Sequence, residues 1–416
     1  MHAAGGTVWR LRRMPDRVAA AKWTRGLGRS TAQLALGGGV AFGLLAVAWW
    51  HRAFATRVLQ IEVANWKIVG ALSGGSILLL GGLCLRRRPP RWALAGVSMV
   101  LALLAAADAV NSYFGYLPQV ADVVGVSDWP VVPGSALVPP VVGRDEQLSR
   151  TAARVGGVAD ISVVGAYSGV GRHHVYVYLP PQYFAHPTQR FPVVYLLHGS
   201  PGRPQDWLRA ARAVHAGEQV AALGRPTILV MPPMSHGWLD DSECVDGKPG
   251  QWDTWLTTDV VHAIDRQLRT LPARGQRALA GMSAGGFCAL NLLVRHSDEF
   301  AAALDMSGYT APTHAGGVRA LFGPRWRTDA NMNTPARYIA GHPLVLPLQL
   351  QFVDGAADPL PLKQFRALQP VLEAHGVTVR VLRRDGGHTY HVWSSALRDG
   401  LRWLSEQMYL GASFSR

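Results

Sequence analysis

The chain has 416 residues, 49% of them hydrophobic and 16% charged, with a formal net charge of +14. That length has room for one large α/β domain and further segments, and the hydrophobic share is high for a purely soluble protein. The charge does not indicate nucleic acid, because it flanks apolar stretches: seven Lys/Arg and one acid lie between Arg10 and Arg29, and Arg86, Arg87, Arg88 and Arg91 separate two apolar runs.

Three such runs open the chain. Residues 31–50 carry no charge, 68–85 read "IVGALSGGSILLLGGLCL", and 92–110 read "WALAGVSMVLALLAAADAV" with Asp108 near the end. Each approaches the length of a bilayer-crossing helix. A secretory signal peptide fits poorly, since the first run is too long and two more follow. The basic flanks place the arm 1–30 and the loop at 86–91 on the cytoplasmic side. The expectation is a multi-pass cell-membrane protein with three transmembrane helices at 31–110 and everything after them outside.

Residues 111–157 read as a connector. "DWPVVPGSALVPPVVG" is rich in Pro and Val and has neither helical nor strand periodicity, which favours extended spacing. From 158 to 416 the texture alternates. Strand-like runs fall at 174–180, 191–199, 226–233, 277–283, 301–308, 346–355 and 377–387, with helical patterns at 205–223, 254–269, 284–296, 362–375 and 392–408. Short, nearly continuous apolar strands between helices predict a mostly parallel sheet covered on both faces.

Within that frame "GMSAGG" at 281–286 puts Ser283 at the end of a strand and the start of a helix. The bare G-x-S-x-G pattern is weak, but a strand–turn–helix placement is what a nucleophile elbow requires. A serine needs a base and the base an orienting acid, in the chain order Ser, Asp/Glu, His. "FVDGAADP" supplies Asp354 and Asp358, and "RDGGHTYHVW" supplies His388 and His391, both after strands. Such positions on open α/β sheets collect catalytic groups. Upstream, "LLHGSPG" follows an early strand. Two N–H groups are needed to hold an oxyanion; Ala284 follows the nucleophile, and Ser200 is the donor left when Pro201, which has no N–H, is excluded.

From about residue 160 to 408 the chain resembles the esterase family of α/β-hydrolases that includes esterase D-type enzymes and the secreted mycolyltransferases of actinobacteria. The matching stretches are "YLLHGSPGRPQDW", "WDTWLTTDVVHAID", "RALAGMSAGGFCALNLLVRHSDEF", "LDMSG", "DGAADP" and "GGHTYHVW". The resemblance implies an α/β-hydrolase fold with Ser283 as nucleophile, Asp358 as acid and His388 as base. Asp354 and His391 remain as rivals to the last two. The N-terminal portion is similar in arrangement to membrane-anchored actinobacterial members. The mycolyltransferases use Glu as the acid, so Asp358 leans towards an esterase.

The sequence therefore predicts a membrane-anchored serine esterase acting on envelope-type, acyl-lipid or glycolipid esters outside the cytoplasm. Acyl transfer to a sugar or lipid hydroxyl uses the same triad and is the nearest alternative. A non-catalytic scaffold with this fold is argued against by the intact triad, and a peptidase by the lack of a propeller-like domain. No cofactor or nucleic acid is expected, and no Cys/His metal spacing or phosphate-binding glycine loop appears. Asp240, Asp241, Glu243 and Asp246 could gather calcium but read more simply as solvated surface. Trp207, Trp238, Trp252 and Trp255 either line a pocket or pack. Cys244 and Cys288 are the pair left when Cys84 is assigned to the second apolar run, and a disulfide between them is expected in an oxidising compartment.

Overall fold

A computed structural model describes residues 107–108, 110–119, 122, 129–132 and 146–413. All fall within one compact unit, Glu62–Arg416. The strands are β1 (Val131–Val132), β2 (Gly157–Gly165), β3 (Gly171–Leu179), β4 (Val193–Leu197), β5 (Ile228–Met231), β6 (Asp246–Gly247), β7 (Gly250–Gln251), β8 (Arg277–Met282), β9 (Ala302–Met306), β10 (Leu348–Gly355) and β11 (Val377–Arg384). β6 and β7 pair as a small ribbon, and the rest form one nine-stranded sheet in the order β1-β2-β3-β5-β4-β8-β9-β10-β11. It is parallel from β5 to β11, while β2/β3 and β3/β5 are antiparallel.

The helices used below are α1 (Glu146–Val155), α2 (Ala213–Ala222), α3 (Val261–Gln267), α4 (Ala284–Arg295), α5 (Gly317–Phe322), α6 (Trp326–Met332), α7 (Pro335–Gly341), α8 (Pro359–Ala374) and α9 (Tyr390–Ser413). Every residue of β4 and β8 is buried, because helices cover both faces of the sheet. On one face Val193, Tyr195, Leu197, Leu279 and Phe352 pack with residues of α3, α4 and α8. On the other, Val194, Leu196, Ala280 and Leu304 meet α2 and α9. Each fully buried Val, Leu or Phe contributes roughly 1.5–3 kcal/mol, so this two-sided core is what holds the strand ends that carry the site.

The α/β-hydrolase frame expected from the sequence is present, but the three transmembrane helices of the expected fold, and the multi-pass cell-membrane location drawn from them, are corrected. Among the described residues no helix is long and apolar enough to cross a membrane. The longest, α9, is amphipathic: Leu397, Leu401 and Leu404 are buried, while Arg398, Asp399 and Arg402 lie on exposed positions, and a span needs about 20 mostly apolar residues. The apolar runs 31–50 and 68–85 lie outside the described residues, as does 92–110 apart from residues 107, 108 and 110.

Several local features differ from the periodicity. The pattern at 205–223 is not one helix: it splits into Gln205–Leu208 and α2, with Arg212 between them at φ 55°. The pattern at 254–269 carries a π-helical stretch, Trp255–Val260, ahead of α3. Within the Pro/Val-rich segment, Val131 and Val132 pair in register with Val158 and Ala159, and α1 precedes β2.

Candidate active site

Ser283 sits between β8 and α4 with φ 56° and ψ −121°, a left-handed conformation that costs a non-glycine residue energy and persists only where its surroundings enforce it. The enforcement comes from close backbone approach on both sides. A Cβ at Gly281 would lie 1.7 Å from Gly285 O, and one at Gly285 would lie 2.0 Å from Leu197 O. Only hydrogen fits at either position, so the two glycines flanking Met282–Ser283–Ala284 are dictated by space. The Ser283 N–H donates to Met306 O at 2.8 Å, tying the turn to β9.

The other two loops are laced to each other. Ala356 N–H donates to Arg384 O at 2.7 Å and Ala357 N–H to Gly386 O at 2.8 Å. These bonds continue the β10–β11 pairing past the strand ends and bring Asp358, which immediately precedes α8, beside His388. His388 Nδ1–H donates to Asp358 Oδ2 at 2.5 Å, which leaves Nε2 to accept the Ser283 hydroxyl at 2.8 Å. The ring of Trp393 stands edge-on to His388 with centroids 4.8 Å apart. Three loops at the C-terminal edge of the sheet thus place Ser283, His388 and Asp358 in one hydrogen-bonded row, an arrangement able to remove a serine proton and stabilise an imidazolium.

The rivals stand elsewhere. Asp354 is fully buried at the end of β10, and that burial pushes its carboxyl up to about 6. On the neighbouring strand Asp305, also fully buried, accepts the Gly308 N–H at 2.8 Å, and burial pushes it up to about 8. His391 Nε2–H donates to Ser112 O at 3.0 Å, so its ring is engaged with the segment at 111–117 and not with Ser283.

Beside the nucleophile, the loop after β4 comes within contact: a Cβ at Gly199 would be 3.5 Å from Ser283 Cβ. Ser200 is the next residue, and Ala284 opens α4, whose first amides point their positive dipole end at the same space. One brace on this loop was not singled out from the sequence. His198 is buried; its Nδ1–H donates to Gly199 O at 2.8 Å and its Nε2 accepts the Met234 N–H at 3.3 Å. Desolvation pulls its pKa down to about 4, so it serves as a neutral strut. The signal was its position in "LLHGSPG", directly before the turn.

Cys244 and Cys288 are bridged, with Cα atoms 5.6 Å apart, within the reach of a disulfide. The bridge ties the loop after Met234 to α4, one turn beyond Ser283. Trp207, Trp252 and Trp255 are fully buried and pack, Trp255 donating to Pro233 O at 3.0 Å; Trp238 is exposed. The acidic loop divides: Asp240 and Asp246 are exposed, but Glu243 is buried and accepts from Thr313 N–H and Oγ1 at 2.7 and 3.1 Å. Burial pushes Glu243 up to about 7. Among the described residues no group of three His, Cys, Asp or Glu is placed to hold a metal ion.

A family profile described as Putative esterase matches residues 170–404. The chain is 23% identical over 410 residues to an uncharacterised protein of Corynebacterium glutamicum, covering 88% of this chain and 95% of that one. It is 32% identical over 148 residues to an esterase of Mycobacterium tuberculosis, covering 35% of this chain and 30% of the relative. Among solved structures, a ferulic acid esterase superposes with a TM-score of 0.52 at 23% identity, over 61% of this chain and 98% of that one. The profile spans more than half of the sequence and includes every residue of the Ser283–His388–Asp358 row. The chain belongs to the Putative esterase family and is a serine hydrolase of the α/β-hydrolase type.

Proposed function

We propose that the chain hydrolyses carboxylic esters through an acyl-enzyme, with Ser283 as nucleophile, His388 as general base and Asp358 orienting the imidazole. The observation that carries this reading is the row of hydrogen bonds at 2.8 and 2.5 Å leading from the strained Ser283. As Ser283 Oγ attacks the ester carbonyl, its proton moves to His388 Nε2. The amides of Ser200 and Ala284 hold the oxyanion. When the tetrahedral species collapses, the C–O bond to the alcohol breaks and His388 returns the proton to the leaving oxygen. Water, deprotonated by the same ring, then attacks the acyl carbonyl and releases the acid and Ser283.

The substrate class we favour is an envelope-type ester bearing an acyl chain. Large apolar side chains stand exposed at two places near the triad, the first turn of α8 and the loop after β5. Leu360 follows Asp358 by two residues and is 52% exposed, and Trp238 and Leu239 are 48% and 73% exposed. The Trp238 carbonyl accepts the Gly202 N–H at 3.1 Å, beside the loop that holds Ser200. An apolar rim of this kind suits a hydrocarbon substituent. The disulfide supports action in an oxidising compartment.

The test is the purified Ser283→Ala protein assayed on p-nitrophenyl esters of increasing chain length, with fluorophosphonate labelling followed by intact mass. Turnover should fall at least about a thousandfold and labelling should vanish. Turnover near wild type would sink the mechanism, and a preference for acetyl over longer acyl groups in the unmutated protein would remove the acyl-chain assignment.

A further inference from the structure

Residues 111–117 lie upstream of the matched family region, which starts at 170, yet they rest on the catalytic loops. The segment is the last turn of a helix, 111–114, followed by a bend, and is fixed by its own Asn111: Nδ2 donates to Leu117 O at 2.9 Å, Oδ1 accepts the Leu117 N–H at 2.8 Å, and Asn111 O accepts the Gly115 N–H at 2.6 Å. Gly115 takes φ 73°, and a Cβ there would press on the His391 ring at 3.1 Å. His391 in turn donates to Ser112 O. Tyr116 packs its ring on Tyr390, with centroids 4.8 Å apart.

Tyr390 is two residues beyond His388. Its ring also meets Trp393 at 5.1 Å, and Trp393 stands against His388 itself. The Tyr390 hydroxyl faces the Asp206 carboxylate, near enough for each to perturb the other electrostatically. Asp206 Oδ2 also accepts the Arg203 N–H at 2.9 Å, and a Cβ at Gly202 would lie 3.3 Å from that oxygen. Asp206 therefore holds the turn that follows Ser200. A continuous run of contacts joins Tyr116 to Tyr390, Tyr390 to Asp206, and Asp206 to the loop beside the nucleophile.

We infer that residues 111–117 form a strap whose Tyr116, through Tyr390 and Asp206, positions the His388 loop and the Ser200 loop relative to each other. Tyr116, Tyr390 and Asp206 are positioning residues: none touches the reacting atoms, and each fixes a loop that does. Base and oxyanion donors lie on separate loops, and a misplacement of about 1 Å between them costs on the order of a hundredfold in rate. A hydrolase of this family would then depend on a segment outside the recognisable family region. The inference rests on the reading of Ser283 and His388 given above.

The experiment measures kcat and KM for p-nitrophenyl acetate, and the rate of fluorophosphonate labelling, on the full chain carrying Tyr116→Ala, Tyr116→Phe, Tyr390→Phe or Ser283→Ala. A short ester is chosen because it asks little of any acyl pocket. The strap requires Tyr116→Ala to lower kcat about tenfold and slow labelling in proportion, with KM changed less than about twofold. Tyr116→Phe, which keeps the ring on Tyr390, should recover at least about half of the wild-type kcat. Tyr390→Phe, which deletes only the hydroxyl that meets Asp206, should lower kcat about fivefold and decides the matter if Tyr116→Ala does not fold. Full kcat in Tyr116→Ala, or in a folded Tyr390→Phe when the other variant is lost, overturns the strap while the inactivity of Ser283→Ala preserves the triad. Turnover surviving in Ser283→Ala overturns the triad reading and this inference with it.

Discussion

The nucleophile elbow and the aromatic strap hold the same site by opposite means. At the elbow the constraint is backbone on backbone: Gly281, Gly285 and the Leu197 carbonyl leave no room for a side chain, and the parties are neighbours in sequence or on adjacent strands. At the strap the constraint is ring on ring, between residues separated by 274 positions where Tyr116 meets Tyr390. The first kind leaves a spacing pattern that can be read from the chain alone. The second leaves only an ordinary tyrosine in a short bend.

The sharpest way to probe the elbow side is its acid. Asp358→Asn should lower kcat by about two to four orders of magnitude, because the amide cannot hold His388 in the tautomer that accepts the serine proton. Asp354→Asn, one loop-start earlier and outside the hydrogen-bonded row, should stay within about tenfold of wild type. The comparison is read from kcat on one p-nitrophenyl ester at one pH, and a reversed ranking would reassign the acid.

Space at the elbow is probed next by Gly285→Ala. The new methyl would meet the Leu197 carbonyl at 2.0 Å, and neither partner is a flexible side chain. The expected loss is about 3 kcal/mol of unfolding free energy, read from urea midpoints, with activity falling alongside. A Gly285→Ala protein as stable as wild type would show that the turn has slack.

The smallest expected effect on catalysis concerns the acids beneath the triad. Asp305 and Asp354 are held at about 8 and about 6 by burial, above the 3.8 of an ordinary Asp. A raised carboxyl contributes stability that is fully present below the unfolded pKa and is lost as pH rises through the folded one. These two groups should therefore make the urea midpoint decline from about pH 4 to about pH 8. Asp305→Asn should remove the decline between about 6 and 8 and roughly halve the slope between about 4 and 6, where Asp354 still contributes. An unchanged slope above about pH 6 would show that Asp305 titrates lower in the fold.

How much of this was legible follows from what each feature needs. The strands β4, β8, β9 and β10 were visible as short apolar runs because parallel strands buried on both faces carry little else. The order Ser283, Asp358, His388 was visible because each residue sits just past a strand-like run. β2 was not, since it falls where a Pro/Val-rich texture gives way and its outer face carries Ser162 and Val164 at exposed positions. α5, α6 and α7 were missed because each is only six or seven residues long, with Gly or Pro at or just beyond its ends; α5 and α6 rest on a small separate cluster, Val245, Leu321 and Phe322. Glu243 read as solvated for want of any local sign that Thr313, 70 residues on, would cover it. The break at Arg212 has no sequence signal either, since Arg is an ordinary helix former.

The bridge between Cys244 and Cys288 turns a routine laboratory choice into a variable. Both cysteines are fully buried, so a thiol such as dithiothreitol can reach them only when the loop opens locally. Reductant added at purification would act slowly and incompletely, leaving a mixture whose proportions depend on time and temperature. A host that keeps its cytoplasm reducing would deliver the dithiol form from the start. Because Cys288 rides on the helix that Ser283 launches, the two preparations differ in how firmly the nucleophile's own support is anchored. Specific activities from different expression routes are therefore comparable only after free thiols have been counted.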